Sequence, residues 1–99
     1  MFTYWLCLFH YNGYNVSECG GKNFHFVHET ADLENVSVCT VKSAFEFGGQ
    51  KCSACSRLYV PESKWPTLKE KIINILNQVK IDSPLKKDTF YSAVIDGNV

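Results

Sequence analysis

Phe45-Glu46-Phe47-Gly48-Gly49-Gln50-Lys51-Cys52-Ser53-Ala54-Cys55-Ser56-Arg57-Leu58-Tyr59-Val60 is the stretch from which the 99-residue chain is best read. Gly48-Gly49 ends a helical pattern, and 57–60 is a short apolar run stopped by Pro61. Cys52 therefore falls on a turn between a helix and a strand. A cysteine held on such a turn is a candidate nucleophile, because an activated thiolate attacks carbonyl carbons. Adjacent Lys51 and the N–H groups of the turn favour the thiolate. The rival reading is a buried packing residue, the usual fate of a lone cysteine.

Upstream, Leu33, Val36, Val41, Ala44 and Phe45 recur at roughly helical spacing. Thr30 is the expected N-cap, and acids in the first turn suit the positive end of the helix dipole. Before that helix, 24–27 reads as a buried strand. Downstream, Ser63 is the expected cap of a second helix, whose apolar stripe runs through Trp65, Leu68, Ile72, Ile75, Leu76 and Val79. Asp82-Ser83-Pro84 breaks it, and 90–95 reads as a third strand or an extended segment.

Strand, helix, strand, helix at this spacing predicts an α/β fold with a right-handed βαβ unit and parallel pairing. Parallel sheets require helices on both faces, so a slice this short leaves sheet edges and one face bare. Residues 1–16 are aromatic-rich without a clear period and are expected to be irregular. They form a separate segment, and 17–99 the single folded part.

Glu18-Cys19-Gly20-Gly21-Lys22 stands just ahead of the first strand. Glu18 is the candidate general base that a nucleophilic thiol needs. Gly20 and Gly21 allow close approach of a ligand to the backbone, although two adjacent glycines before a strand are more often a tight turn, the reading adopted here.

These two segments, with Glu-x-Gly-Gly-Lys at 18–22 and Gly-Gln-x-Cys at 49–52, resemble the aldehyde dehydrogenase superfamily. Asn23-Phe24-His25-Phe26-Val27-His28, the run 43–47, the run 52–61, Trp65-Pro66 and the run 90–96 are similar to its delta-1-pyrroline-5-carboxylate dehydrogenase branch. The resemblance covers about 18–96 and implies a partial catalytic domain with parallel strands and covering helices. It implies oxidation of L-glutamate gamma-semialdehyde to glutamate, in proline catabolism, with NAD as cofactor. Cys52 is then the catalytic nucleophile, forming a thiohemiacetal and next a thioester, and Glu18 activates the water that releases the acid. The backbone carbonyl of Cys19 contacts the nicotinamide amide, and the Cys52 N–H becomes an oxyanion donor. The resemblance also implies a mitochondrial matrix location and homo-oligomers for full-length members. Residues 1–16 do not read like the family. The alternative function is a non-catalytic truncated chain that docks onto full-length members.

Charge narrows the partners. Ten basic and ten acidic residues give a formal net charge of zero, which implies no nucleic-acid or anionic-lipid partner. No apolar run is long enough to span a bilayer. The start Met1-Phe2-Thr3-Tyr4-Trp5-Leu6 has no basic residue ahead of its apolar part, so no targeting peptide is evident. Five cysteines, an odd count without a regular framework, read as thiols in a reducing compartment. Cys52-x-x-Cys55 lacks a second pair at ligand spacing and is not assigned a metal; Cys55 reads as a packing residue of the turn. His25 and His28 read as hydrogen-bonded strand histidines, since alternation points them to opposite sides.

Overall fold

The computed structural model describes residues 7–11, 14–18 and 20–98, with side chains from residue 20 onward. Two antiparallel strands come first: β1 (Cys7–Tyr11) and β2 (Tyr14–Glu18), with Tyr11 opposite Tyr14 and Cys7 opposite Glu18. The segment expected to be irregular thus contains a hairpin.

The second unit is β3 (Asn23–Phe26), α1 (Leu33–Phe45), β4 (Cys55–Tyr59) and α2 (Trp65–Leu76). β3 and β4 pair in parallel, as the βαβ spacing requires. The α/β class, with parallel strands and covering helices, is the observed one.

His25 and Leu58 are opposite one another and half-buried, whereas Phe24, Phe26 and Tyr59 are exposed on the other face. One face is therefore covered and one bare. The covered side meets Val27, Val36 and Leu68, with Ala31, Leu33, Leu58, Val60 and Ile72 packed around them. Leu68 is fully buried and lies on the predicted stripe of α2, while Trp65 at its start is 45% exposed. In α1, Ser37 and Thr40 are buried beside Val36 and Val41, so the buried side of this helix is partly polar. Each buried hydroxyl has a partner: Ser37 Oγ donates to the Glu34 carbonyl at 2.7 Å, and Thr40 Oγ1 lies 2.8 Å from His25 Nδ1.

Both helix starts differ from expectation. Asp32 caps α1 by accepting from the Glu34 N–H at 3.0 Å, while Thr30 Oγ1 is 2.9 Å from His28 Nδ1. Asp32 wins because it stands immediately before the first helical residue, where its carboxylate reaches the orphan amides and suits the dipole. Ser63 lies inside a tight turn, Glu62–Lys64, and α2 starts after it with Pro66 in its first turn, where a missing N–H costs nothing. The 90–95 segment forms a single parallel bridge, Ile81 with Tyr91, in place of a third strand. Among the described residues, no helix is long and apolar enough to cross a membrane.

Candidate active site

Parallel pairing brings the two motifs together. Glu18–Lys22 leads into β3 and Gly49–Cys52 leads toward β4, and Asn23 is opposite Cys55 at the start of both strands. Whatever precedes two parallel neighbours arrives at the same end of the sheet. The site is built there.

Helix α1 ends in a turn, Glu46–Gly49, in which Phe47, Gly48 and Gly49 have φ of 61°, 66° and 74°. Three successive left-handed residues reverse the chain. Gln50 holds the reversal: its Nε2 donates to the Phe47 carbonyl at 2.8 Å, and its Oε1 accepts from the Ile95 N–H at 2.8 Å. The next turn carries Cys52 and is closed by the Ala54 N–H donating to the Lys51 carbonyl at 3.1 Å.

Cys52 is exposed. That removes the buried-packing reading of this residue. Its carbonyl oxygen accepts from Asn23 Nδ2. Gly21, with φ of 72°, lies against the same carbonyl: a Cβ there would come within 2.8 Å of the Cys52 carbonyl carbon and 3.2 Å of Asn23 Nδ2. Gly21 is thus a point of close backbone contact with protein, which the tight-turn reading of the glycine pair did not anticipate. Among the described residues, nothing lies within 4 Å of a Cβ added at Gly20.

Glu18 closes β2, three residues before Gly21, and its side chain lies outside the described residues. Cys19, the backbone contact implied for the nicotinamide, lies outside them as well.

Lys51, expected to favour the thiolate, has a carboxylate partner. Its Nζ bonds to Glu46 Oε2 at 2.7 Å and stands 5.8 Å from the Phe47 ring centroid. The left-handed turn folds the chain back so that residues 46 and 51 meet. Lys51's hydrogen bond and charge hold the Glu46 carboxyl below its ordinary range.

Cys55 opens β4 and does not sit in the turn; its Sγ donates to the Arg57 carbonyl at 3.2 Å. His25, in β3, and His28, two residues beyond its end and so not in a strand as expected, both have the threonine partners already given. A cleft of about 430 Å³ borders the loop, lined by Glu46, Phe47, Gln50, Phe90 and Tyr91 among others. Cys52 is not part of its lining.

With an exposed cysteine on a clamped turn, and a glycine-strand segment packed on its carbonyl, the similarity to known proteins can be placed. The aldehyde dehydrogenase family model matches residues 14–98. The chain belongs to the aldehyde dehydrogenase family. The match takes in both motifs and all of the βαβ unit. Among curated relatives, the Homo sapiens protein named "Delta-1-pyrroline-5-carboxylate dehydrogenase, mitochondrial" is 59% identical over 80 residues, 80% of this chain and 14% of its own length. Its Danio rerio namesake is 56% identical over the same shares, and that of Dictyostelium discoideum is 47% identical over 90 residues, 89% of this chain and 16% of its own. The chain therefore spans about one seventh of the length of these family members.

Asn23 was not singled out in the sequence as a site residue. Its bond to Cys52 spans 29 positions and depends on the pairing of β3 with β4, so no local pattern announces it.

Proposed function

We propose that this chain carries the thiol centre of an aldehyde dehydrogenase that oxidises L-glutamate gamma-semialdehyde, in equilibrium with pyrroline-5-carboxylate, to glutamate. The observation that carries the reading is the convergence of the two motifs: an exposed Cys52 whose own carbonyl is held by Asn23, next to Gly21. The names of the relatives supply pyrroline-5-carboxylate and a mitochondrial location, and a place in proline catabolism follows in this reading from that substrate.

In the proposed reaction, the Cys52 thiolate adds to the aldehyde carbon and the carbonyl oxygen takes up the charge. Loss of hydride from that carbon leaves a thioester on Cys52. Glu18 then takes a proton from water, which attacks the thioester; the acid departs and Cys52 is released as thiolate. NAD, when bound, is the hydride acceptor. The space that the described residues leave in front of Gly20 suits approach of a ring to the backbone, and Cys19 would hold its amide through its carbonyl. Residues 17–99 act in this reading as part of the catalytic domain.

The test is protection of a thiol. L-Glutamate gamma-semialdehyde should slow iodoacetamide labelling of Cys52 while leaving Cys39 and Cys55 unaffected, and NAD should then yield glutamate that a Cys52→Ser variant cannot form. Labelling of Cys52 at the pace of Cys39 and Cys55, with no protection by the aldehyde, refutes the reading.

One observation favours a second reading. Phe24 and Phe26 are each 67% exposed and Tyr59 50%, all on the bare sheet face. A non-catalytic chain that docks onto full-length family members would use that face, and co-elution with such a member, lost in a Phe24→Ser/Phe26→Ser variant, would single it out.

A further inference from the structure

We propose that Asn23 is a positioning residue for Cys52, holding the turn in the geometry that directs its thiol. The inference rests on the reading of Cys52 as the reactive group. Three observations meet at this side chain. Its Nδ2 donates to the Cys52 carbonyl oxygen, the bond that joins the start of β3 to the thiol-bearing turn. The pairing of β3 with β4 slips between Asn23 and Phe24: Asn23 is opposite Cys55 and Phe24 opposite Arg57, so Ser56 is passed over. The extra residue lies in β4, so the irregularity displaces Cys55 and the turn before it relative to Asn23 at the start of β3. Gly21 fills the remaining space, since a Cβ there would lie 3.2 Å from Asn23 Nδ2 as well as against the Cys52 carbonyl.

Holding the Cys52 carbonyl fixes the peptide plane between Cys52 and Ser53, and hence ψ of Cys52. Backbone dihedrals select which χ1 wells are open, so the direction of Sγ follows from that plane. Within the turn, the Ala54 N–H bonds to the Lys51 carbonyl and closes the chain. Asn23 adds a hold on the carbonyl at 52. It acts through Cys52 and touches no reacting atom.

The experiment is site-resolved iodoacetamide labelling of the whole chain across a pH series, with Cys39 and Cys55 as references. Asn23→Ala removes the donor, Asn23→Asp replaces it with an acceptor of the same shape, and Asn23→Ser keeps a shorter donor. The first two should slow Cys52 about three- to tenfold and move its pH–rate curve upward, the size expected for one lost hydrogen bond. Cys39, on α1, should keep its rate, and Asn23→Ser should restore part of that of Cys52. An unchanged Cys52 curve in Asn23→Ala and Asn23→Asp overturns the proposal. Acceleration of all three cysteines together overturns it too, because Asn23 would then only hold the fold. A Cys52 no faster than its references in the unsubstituted chain counts against the catalytic reading alone. The comparison among variants of the same thiol still decides the role of Asn23.

Discussion

Replacing Gly21 by alanine tests the contact on which the site depends. Two costs can be worked out separately. With φ of 72°, an L side chain at position 21 adopts a left-handed backbone, at about 1–2 kcal/mol. The added Cβ also meets backbone, 2.8 Å from the Cys52 carbonyl carbon, and backbone cannot swing aside as a lysine tip can. Forcing such an atom in costs about 1–3 kcal/mol. The sum, about 2–5 kcal/mol, is a large part of the stability of a small domain. Gly20→Ala is the matched control, because none of the described residues lies within 4 Å of its Cβ and its φ is not left-handed. It should change stability by less than about 0.5 kcal/mol. Urea unfolding followed by circular dichroism reads both variants: the midpoint of Gly21→Ala should fall by about 1–3 M with an unchanged slope. Equal midpoints for the two alanine variants would refute the claim that β3 enters the sheet against the Cys52 carbonyl.

Three further outcomes follow from named contacts. Leu68→Ala should cost about 2–5 kcal/mol in the same urea assay, because Leu68 is fully buried at the centre of the cluster. Gln50→Ala should speed hydrogen exchange at the Ile95 amide, whose acceptor it removes, and leave the amides of α1 unchanged. The Glu46 carboxyl sits below its ordinary range, chiefly through the hydrogen bond from Lys51 and then through its charge. A depressed carboxylate stabilises the fold above its unfolded value, and this is lost as pH falls through the folded one. Stability should therefore drop faster on the acid side in the natural chain than in Glu46→Gln, and added salt should shrink the difference at this exposed pair.

The legible parts of this fold are those set by local chemistry. The stripe Leu68, Ile72, Ile75 and Leu76 announces α2 because one face of a helix must be apolar, and Gly48-Gly49 announces the end of α1 because left-handed residues follow it. Thr30 and Ser63 failed as caps for a shared reason. Several residues in each segment have capping side chains, and which one caps depends on where the first turn closes, a tertiary matter. The pairing of β1 with β2 was missed because aromatic residues in both strands hide a period of two. For the site, residue chemistry suggested Cys52 and Glu18, and family resemblance linked them. Lys51 could be read only as a neighbour of Cys52 until the turn at 47–49 set it beside Glu46.

That turn also limits how Cys52 can be activated. Thiolates are commonly favoured at the N-terminus of a helix, where backbone N–H groups point outward. Here the chain reaches Cys52 from the C-terminal end of α1, where the dipole is negative and Lys42 stands in the last turn. The nearest cation in sequence, Lys51, is bonded to Glu46. The helix end therefore opposes the thiolate, and Lys51 shares its charge with Glu46. The ordered backbone of the turn acts beside them: amides kept in place by the Ala54–Lys51 closure, the Gln50 clamp, and the Gly21–Asn23 segment packed on the Cys52 carbonyl. A site activated this way depends on order more than on charge. Its thiol reactivity should track turn stability across variants and be nearly indifferent to Lys51→Met. A marked loss of Cys52 reactivity in Lys51→Met would return the role to the lysine.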